Sequence, residues 1–227
     1  LHELEKFDDS IRSYQDTLAI EPDYAEAHNN LGNVYREVNQ LDAAIESFKK
    51  AILLKTDYVE AHYSLGSCFQ ELGKLEDTVQ CYERVLEFRP NFTGMHNNLG
   101  NVLRELGRFD EAVLSYEKAL SIDPDFVEVY YNLGITFQEL NQFDKAEINY
   151  KKAINLNGMY SEAFNNLGII YKELKDFDSA ISAYKKAIEV KPDYAEAFNN
   201  LGMLYKELGQ VNNAFESYQN ALNVLPE

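Results

Sequence analysis

The residues of this chain that could bind a ligand are asparagines that recur at a fixed interval. Asn-Asn-Leu-Gly occurs at 29–32, 97–100, 165–168 and 199–202, and the related Tyr-Ser-Leu-Gly and Tyr-Asn-Leu-Gly occur at 63–66 and 131–134. Successive glycines of these six tetrapeptides are always 34 residues apart. A constant period of this length indicates an array of stacked repeats, so each residue is best interpreted by its place in the repeat.

One row of side-chain amides has the chemistry to hold a bound peptide. An amide offers two N–H donors and a carbonyl acceptor, which can pair with the N–H and C=O groups of any main chain. Packed helices lie about 8–10 Å apart, which matches two to three residues of an extended chain at about 3.3 Å each. We predict that these asparagines form a ladder that binds extended peptides with little dependence on the peptides' side chains. Its members are Asn30, Asn98, Asn132, Asn166 and Asn200. Copy 2 has Ser64 in place of the ladder asparagine.

Two further rows are predicted to lie beside the ladder. The first residues of the tetrapeptides should face the same groove: Asn29, Tyr63, Asn97, Tyr131, Asn165 and Asn199. A row of glutamates repeats without exception: Glu37, Glu71, Glu105, Glu139, Glu173 and Glu207. Each follows directly on Arg36, Gln70, Arg104, Gln138, Lys172 or Lys206. This pattern suits either a solvated helix face or a mixed-charge rim that favours basic or Ser/Thr-rich segments.

Histidines form the one row that suggests a metal site: His28, His62 and His96. Zinc holds nitrogen at about 2.0–2.1 Å, so one ion cannot bridge helices that lie about 8–10 Å apart. Later copies hold Tyr130, Phe164 and Phe198 at the same place, which favours an aromatic-like core position. We find no nucleophile with a histidine base and no glycine-rich phosphate loop. The sequence therefore predicts no catalytic residues, no metal and no cofactor.

Composition narrows the class of partner and the compartment. The formal net charge is −17, which argues against nucleic acid and anionic membrane surfaces and suits a basic partner. No apolar run is long enough to span a membrane, and the chain does not open with an apolar leader. Cys68 and Cys81 are too few for a disulfide framework. We expect a cytoplasmic or nuclear protein.

Each repeat is predicted to form two helices joined by a short turn. The predicted copies 1 to 6 span 25–58, 59–92, 93–126, 127–160, 161–194 and 195–227, after a second helix of a partial copy at 1–22. In copy 6, Asp193 and Glu196 form a predicted capping box at the start of the first helix. Gly209 should close that helix in the left-handed conformation. Its equivalents are Asn39, Gly73, Gly107, Asn141 and Lys175.

Small residues should mark where the two helices of a copy meet. The tetrapeptide glycine lies inside a helix at a cost of roughly 1 kcal/mol relative to Ala, so its repetition requires a close helix contact. We expect the glycines to face alanines of the second helix: Ala44, Ala112, Ala146, Ala180 and Ala214. Aromatic residues should fill the remaining space: Phe48, Tyr82, Tyr116, Tyr150, Tyr184 and Tyr218.

This pattern of Leu-Gly, Tyr, Ala, an aromatic residue, Ala and Pro at 34-residue spacing resembles the tetratricopeptide repeat, over the whole of residues 1–227. The resemblance implies an all-α, right-handed superhelical solenoid, with first helices on its concave face. The run Ala-Glu-Ala-x-x-Asn-Leu-Gly is similar to the superhelical region of O-linked N-acetylglucosamine transferases. In those enzymes an asparagine ladder in this register binds substrate backbone, which implies the same role for the five ladder asparagines.

Three functions follow as hypotheses. The first is a non-catalytic protein–protein interaction module that holds extended, flexible segments. The second is the substrate-recognition arm of a glycosyltransferase whose catalytic domain lies elsewhere. The third is a scaffold that self-associates through uncapped repeat ends, where Ala221, Leu222 and Leu225 should form an apolar patch. Capture of a carboxylate, as in co-chaperone relatives, is disfavoured because the required cations are replaced, for example by Asn29 and Glu60.

Overall fold

A computed structural model describes residues 2–224, with side chains from residue 6 onward. All regular structure in this part of the chain is helical. The helices are α1 His2–Ile20, α2 Ala25–Glu37, α3 Leu41–Leu54, α4 Val59–Glu71, α5 Leu75–Phe88, α6 Thr93–Glu105, α7 Phe109–Ile122, α8 Val127–Glu139, α9 Phe143–Leu156, α10 Ser161–Glu173, α11 Phe177–Val190, α12 Ala195–Glu207 and α13 Val211–Asn223. None of the described helices combines the length and apolar character needed to cross a membrane.

The chain divides into two compact units, unit 1 at residues 1–122 and unit 2 at residues 123–227. In unit 1, α2/α3, α4/α5 and α6/α7 form hairpins, and α1, α3 and α5 each pack on the first helix of the next copy. In unit 2, the hairpins are α8/α9, α10/α11 and α12/α13, and α9 and α11 pack on the copies that follow. The predicted all-α array of helical hairpins is confirmed, while the assignment of all residues to a single array remains a prediction.

The two helices of each copy meet where a glycine faces an aromatic ring. A Cβ built on Gly100 would lie 2.5 Å from Cε1 of Tyr116, too close for any side chain. The same contact joins Gly32 to Phe48, Gly66 to Tyr82, Gly134 to Tyr150, Gly168 to Tyr184 and Gly202 to Tyr218. The sequence placed alanines opposite these glycines. The ring occupies that space instead, although Ala44, Ala112, Ala146 and Ala180 are fully buried.

First helices end as predicted. The left-handed residues are Asn39 (φ 59°), Gly73 (69°), Gly107 (73°), Asn141 (56°), Lys175 (62°) and Gly209 (72°). After each of them the chain turns back on the helix: the N–H of Gln210 donates to Tyr205 O at 2.8 Å and that of Gly209 to Lys206 O at 3.1 Å. This pair of bonds satisfies carbonyls that the helix itself leaves open.

Helix starts differ from the predicted capping boxes. The residue before α12 is Tyr194 rather than Asp193, and its side chain caps no N–H group. Lys191 Nζ lies 4.9 Å from the centre of the Tyr194 ring, and the N–H of Tyr194 donates to Lys191 O at 3.1 Å. Tyr194 occupies the capping position, so the preceding aspartate lies outside the helix.

The glycine–ring contact predicts opposite outcomes for two glycines of α6. Gly100→Ala should lower the free energy of unfolding by about 1–3 kcal/mol, because its Cβ overlaps Tyr116. Gly94→Ala is the matched control, since its Cβ would come no closer than 3.7 Å to Phe92 and Ala favours a helix by up to about 1 kcal/mol. Urea denaturation followed by circular dichroism measures both. Equal stability of Gly100→Ala and the parent protein would refute the contact.

The left-handed conformation of Lys175 predicts that glycine at this position would stabilise the protein. A non-glycine residue in this conformation carries strain of order 1–3 kcal/mol, so Lys175→Gly should raise the free energy of unfolding by about 1 kcal/mol. Lys185→Gly removes the same charge from the exposed side of α11, where glycine should lower stability by about 1 kcal/mol. Thermal melts of the two variants should move in opposite directions, and a shared direction would contradict the assigned strain.

Candidate functional site

The first helices of unit 1 form a polar face with a pocket in it. The pocket has a volume of about 430 Å³. Its lining comes from α2, α4 and α6, with one tyrosine from α5: Arg36, Tyr63, Ser67, Gln70, Glu71, Tyr82, Asn98 and Asn101. The pocket therefore includes a ladder residue, a tetrapeptide tyrosine and one glutamate from the predicted rim.

Ladder residues lie at or just below the surface. Asn30 is exposed, and Asn98, Asn166 and Asn200 are half-buried. Asn132 is buried at 7% exposure, as is Ser64 at 8%. The ladder is thus set into the face of the helices rather than projecting from it.

In unit 2 the ladder amides bind the preceding copy. Asn200 Nδ2 donates to Asn165 Oδ1 at 3.0 Å, and Asn165 Nδ2 donates in turn to Glu196 Oε1 at 3.1 Å. Asn166 Nδ2 donates to the hydroxyls of Tyr131 at 3.4 Å and Tyr150 at 3.3 Å. The ladder therefore offers less than the full set of donors expected from the sequence. The carbonyl oxygens of Asn166 and Asn200 and the second N–H of Asn200 are the groups that remain for a partner.

The missing ladder residue has a consequence in unit 1. Ser64 is too short to reach the place that corresponds to Asn165, and its hydroxyl donates to Asn33 Oδ1 at 3.3 Å. Asn29, the counterpart of Asn165, is 5% exposed, and among the described residues its buried Oδ1 has no hydrogen-bond partner. The Asn165–Asn200 bond thus has no equivalent between copies 1 and 2.

The row beside the ladder splits into buried amides and more accessible side chains. Asn29, Asn97 and Asn165 are buried, Asn199 is exposed, Tyr131 is half-buried and Tyr63 is 39% exposed. The Tyr63 ring stacks on Tyr82 with centres 6.1 Å apart and planes at 19°. The Tyr131 ring lies 4.8 Å from that of Tyr160. The buried amides serve packing between copies, which their residue type alone does not reveal.

Charges on the rim pair between copies. Arg36 Nε lies 3.2 Å from Glu71 Oε1, and Lys172 Nζ lies 3.9 Å from Glu207 Oε2. Adjacent residues of a helix point in different directions, so each glutamate does not pair with the residue directly before it. The cation of one copy instead meets the glutamate of the next.

Two amides of this face bind buried tyrosines: Gln70, which the sequence places beside a rim glutamate, and Asn101, which the sequence prediction did not include. The Tyr82 hydroxyl donates to Gln70 Oε1 at 2.8 Å, and the Tyr116 hydroxyl donates to Asn101 Oδ1 at 2.7 Å. A signal existed, because the residue after the tetrapeptide glycine changes character between units. It is Asn33, Ser67 and Asn101 in unit 1, but Ile135, Ile169 and Met203 in unit 2.

The histidines bind the loop that precedes their own helix. His28, His62 and His96 place Nε2 at 2.9, 3.0 and 2.8 Å from the carbonyl oxygens of Pro22, Thr56 and Pro90. Tyr130 makes the same bond from its hydroxyl to Pro124 O at 3.1 Å. This agrees with a core position that accepts several aromatic residues. Among the described residues, no group of three or more His, Cys, Asp or Glu could hold a metal ion.

The two cysteines are free and buried. Burial raises the pKa of Cys68 to about 11 and that of Cys81 to about 12. Thiolate is the reactive form of cysteine, so neither side chain is activated as a nucleophile at neutral pH.

The last described helix, α13, exposes an apolar face. Val211, Phe215 and Leu222 are 72%, 63% and 70% exposed. Of the predicted patch, Leu222 belongs to this face, Ala221 is buried at 2% exposure, and Leu225 lies outside the described residues. Ala221 is covered because its position faces the paired helix of its own copy.

Hairpins of constant period with a polar first-helix face define an α-helical repeat protein. Profiles described as TPR repeat match residues 1–38, 32–73, 100–141 and 168–209, and profiles described as Tetratricopeptide repeat match 59–92, 127–160 and 195–226. The chain belongs to the tetratricopeptide repeat (TPR) family. Such repeats generally serve as non-catalytic scaffolds for protein interaction.

Solved structures with the same fold include three TPR solenoid proteins. A crystal structure of MamA is 28% identical with a TM-score of 0.65, over 70% of this chain and 94% of that one. YrrB, described as a TPR protein with an unusual peptide-binding site, is 21% identical with a TM-score of 0.69, over 81% and 95%. PilF of Pseudomonas aeruginosa is 19% identical with a TM-score of 0.69, over 85% and 88%. A search of curated proteins gave no match.

Because the Asn29 carbonyl is unpaired, exchanging Ser and Asn at the ladder positions of copies 2 and 6 should change stability in opposite directions. Ser64→Asn should supply the missing donor and raise the free energy of unfolding by about 0.5–1.5 kcal/mol. Asn200→Ser should leave the Asn165 carbonyl unpaired and lower it by about 1–3 kcal/mol. Urea denaturation gives the sign, and hydrogen exchange of α2 and α4 locates the gain. Destabilisation by Ser64→Asn would contradict the proposed equivalence of the two pairs.

Proposed function

We propose that this chain is a protein-interaction module that holds an extended, flexible segment of its partner along the first-helix face. The ladder asparagines and the tetrapeptide tyrosines provide the contacts. The partner's main chain is the principal ligand, so the module tolerates many side-chain sequences. Its acidic character, with a net charge of −17, favours basic segments, and the mixed-charge rim suits segments rich in Ser and Thr as well.

The observation that carries this proposal is the fixed orientation of partly exposed ladder amides. Cross-copy bonds from Asn200 Nδ2 and Asn166 Nδ2 hold these side chains in place before a partner arrives. An amide that is already ordered loses little rotamer entropy on binding. Its free carbonyl oxygen is suited to a main-chain N–H group of the partner. The polar pocket of unit 1, with Asn98 in its lining, supports the same role.

A second candidate function is a self-associating scaffold. The exposed apolar face of α13 favours it, because the equivalent positions of α11, Phe177, Ile181 and Ile188, are half-buried, and α11 packs on the following first helix. A first helix from another array would cover α13 in the same way. The resemblance to glycosyltransferase arms leaves a third hypothesis, in which the same face selects substrates for a catalytic domain elsewhere.

Ladder residues without cross-copy bonds give the sharpest test. Asn30 and Asn98 are accessible, so replacing both by Ala should weaken peptide binding by about 5- to 150-fold, at roughly 0.5–1.5 kcal/mol per lost hydrogen bond. The matched control replaces Asn155 and Asn223, two exposed amides of second helices, and should bind like the parent. Calorimetric titration with unrelated Ser/Thr-rich peptides of about 20 residues measures the affinity.

Circular dichroism and light scattering complete the experiment. The double variant should melt like the parent, since neither side chain supports packing. An unchanged affinity in the folded Asn30→Ala/Asn98→Ala protein would refute the ladder. Absence of binding by every peptide, together with mass that rises with concentration, would favour the self-associating scaffold instead.

A further inference from the structure

Two positions of the first helix change together along the chain. In copies 2 and 4 the tetrapeptide begins with Tyr63 or Tyr131, and the residue seven places later is Gln70 or Gln138. In the other four copies an asparagine begins the tetrapeptide and a cation follows at the same distance. These pairs are Asn29 and Arg36, Asn97 and Arg104, Asn165 and Lys172, and Asn199 and Lys206. Tyrosine thus occurs only where the cation is absent.

The cation neutralises a glutamate of the next copy. Arg36 pairs with Glu71 at 3.2 Å, 35 positions along the chain, and Lys172 pairs with Glu207 across the same interval. Gln70 stands in the cation's place one copy after Arg36 and carries no charge. Its counterpart across that interval is Glu105, which is exposed and receives no ion pair from the described part of the chain.

Tyr63 provides an aromatic surface in the pocket of unit 1, and Glu105 lies beyond the residues that line this pocket. The Tyr63 ring is 39% exposed and is held by stacking on the buried ring of Tyr82. The Tyr82 hydroxyl in turn binds Gln70, so the aromatic pair and the neutral amide form one unit. Gln70 and Asn101 line the same pocket. Glu105 lies one turn beyond Asn101 on α6, on the same side of that helix.

We propose that this pocket of unit 1 receives an arginine side chain of the bound segment. The guanidinium lies over the Tyr63 ring and pairs with Glu105, so the partner supplies a cation of the kind that Arg36 supplies to Glu71 and Lys172 supplies to Glu207. Aromatic faces attract guanidinium groups, and arginine satisfies planar stacking and carboxylate pairing at once. This site rests on the proposed binding of extended segments. It requires that the bound segment carry an arginine where the segment passes copy 2.

Unit 2 contains a second tyrosine and glutamine at these positions, Tyr131 and Gln138, but the residues around them differ. Tyr131 is half-buried, and its hydroxyl accepts a hydrogen bond from Asn166. Apolar Ile135 and Ile169 occupy the places that Ser67 and Asn101 hold in unit 1. We therefore assign the arginine site to unit 1 alone.

Paired peptides that differ by one charge test the site. Each Ser/Thr-rich peptide is made with a central arginine and with citrulline, which has nearly the same shape but no charge. In 0.15 M salt the arginine form should bind the parent protein about 5- to 50-fold more tightly. Gln70→Arg supplies the cation internally, as copy 1 does, and should abolish this preference. Gln219→Arg adds the same charge on the exposed side of α13 and should retain it.

The outcomes separate the site from the proposed function. Equal binding of arginine and citrulline peptides leaves groove binding intact and overturns the arginine site. Equal loss of preference in Gln70→Arg and Gln219→Arg also overturns it, because long-range charge would then explain the result. Failure of both peptide forms to bind overturns the site and the groove together. Tyr63→Asn, which completes the conversion to the copy 1 type, should likewise remove the preference while the protein stays folded.

Discussion

Every other feature of this protein depends on the contact between a glycine of each first helix and an aromatic ring of the paired second helix. The contact at Gly100 leaves no room for a Cβ beside Tyr116, so the two helix axes are fixed at close range. Burial of the ring supplies the hydrophobic stabilisation of the hairpin. Because the glycine belongs to the same tetrapeptide as the ladder asparagine, this contact also sets the direction in which the ladder side chains point.

The chemistry of the face then follows from bonds that reach one copy further. Side chains donate or pair across intervals of 31 or 35 residues, as in Asn165 to Glu196, Asn200 to Asn165, and Arg36 to Glu71. Within each unit, such bonds orient the polar groups of a neighbouring copy, and a change at one position alters the face beside it. Ser64 illustrates this dependence, since its short side chain leaves Asn29 without its usual donor.

Much of the fold could be predicted because period and residue type report local geometry. A glycine within a helix signalled a close contact, and even Lys175 adopts the left-handed conformation that its place required. The candidate site was harder to predict from the sequence, because it depends on which atoms of each amide are hydrogen-bonded to a neighbouring copy. Nothing in an asparagine distinguishes buried Asn165 from exposed Asn30. The predicted capping boxes were wrong because the helices begin one residue later, with an aromatic residue such as Tyr194 at the capping position.

The order of the Tyr/Gln and Asn/cation copies also bears on changes in the length of the array. Copies 1 and 3 share His-Asn-Asn-Leu-Gly-Asn-Val, copies 2 and 4 share Phe-Gln-Glu-Leu, and copies 5 and 6 share Ala-Phe-Asn-Asn-Leu-Gly. The two types alternate from copy 1 to copy 5, whereas copies 5 and 6 are both of the Asn/cation type. Within the alternating copies, the smallest change of length that keeps the alternating order is therefore two copies.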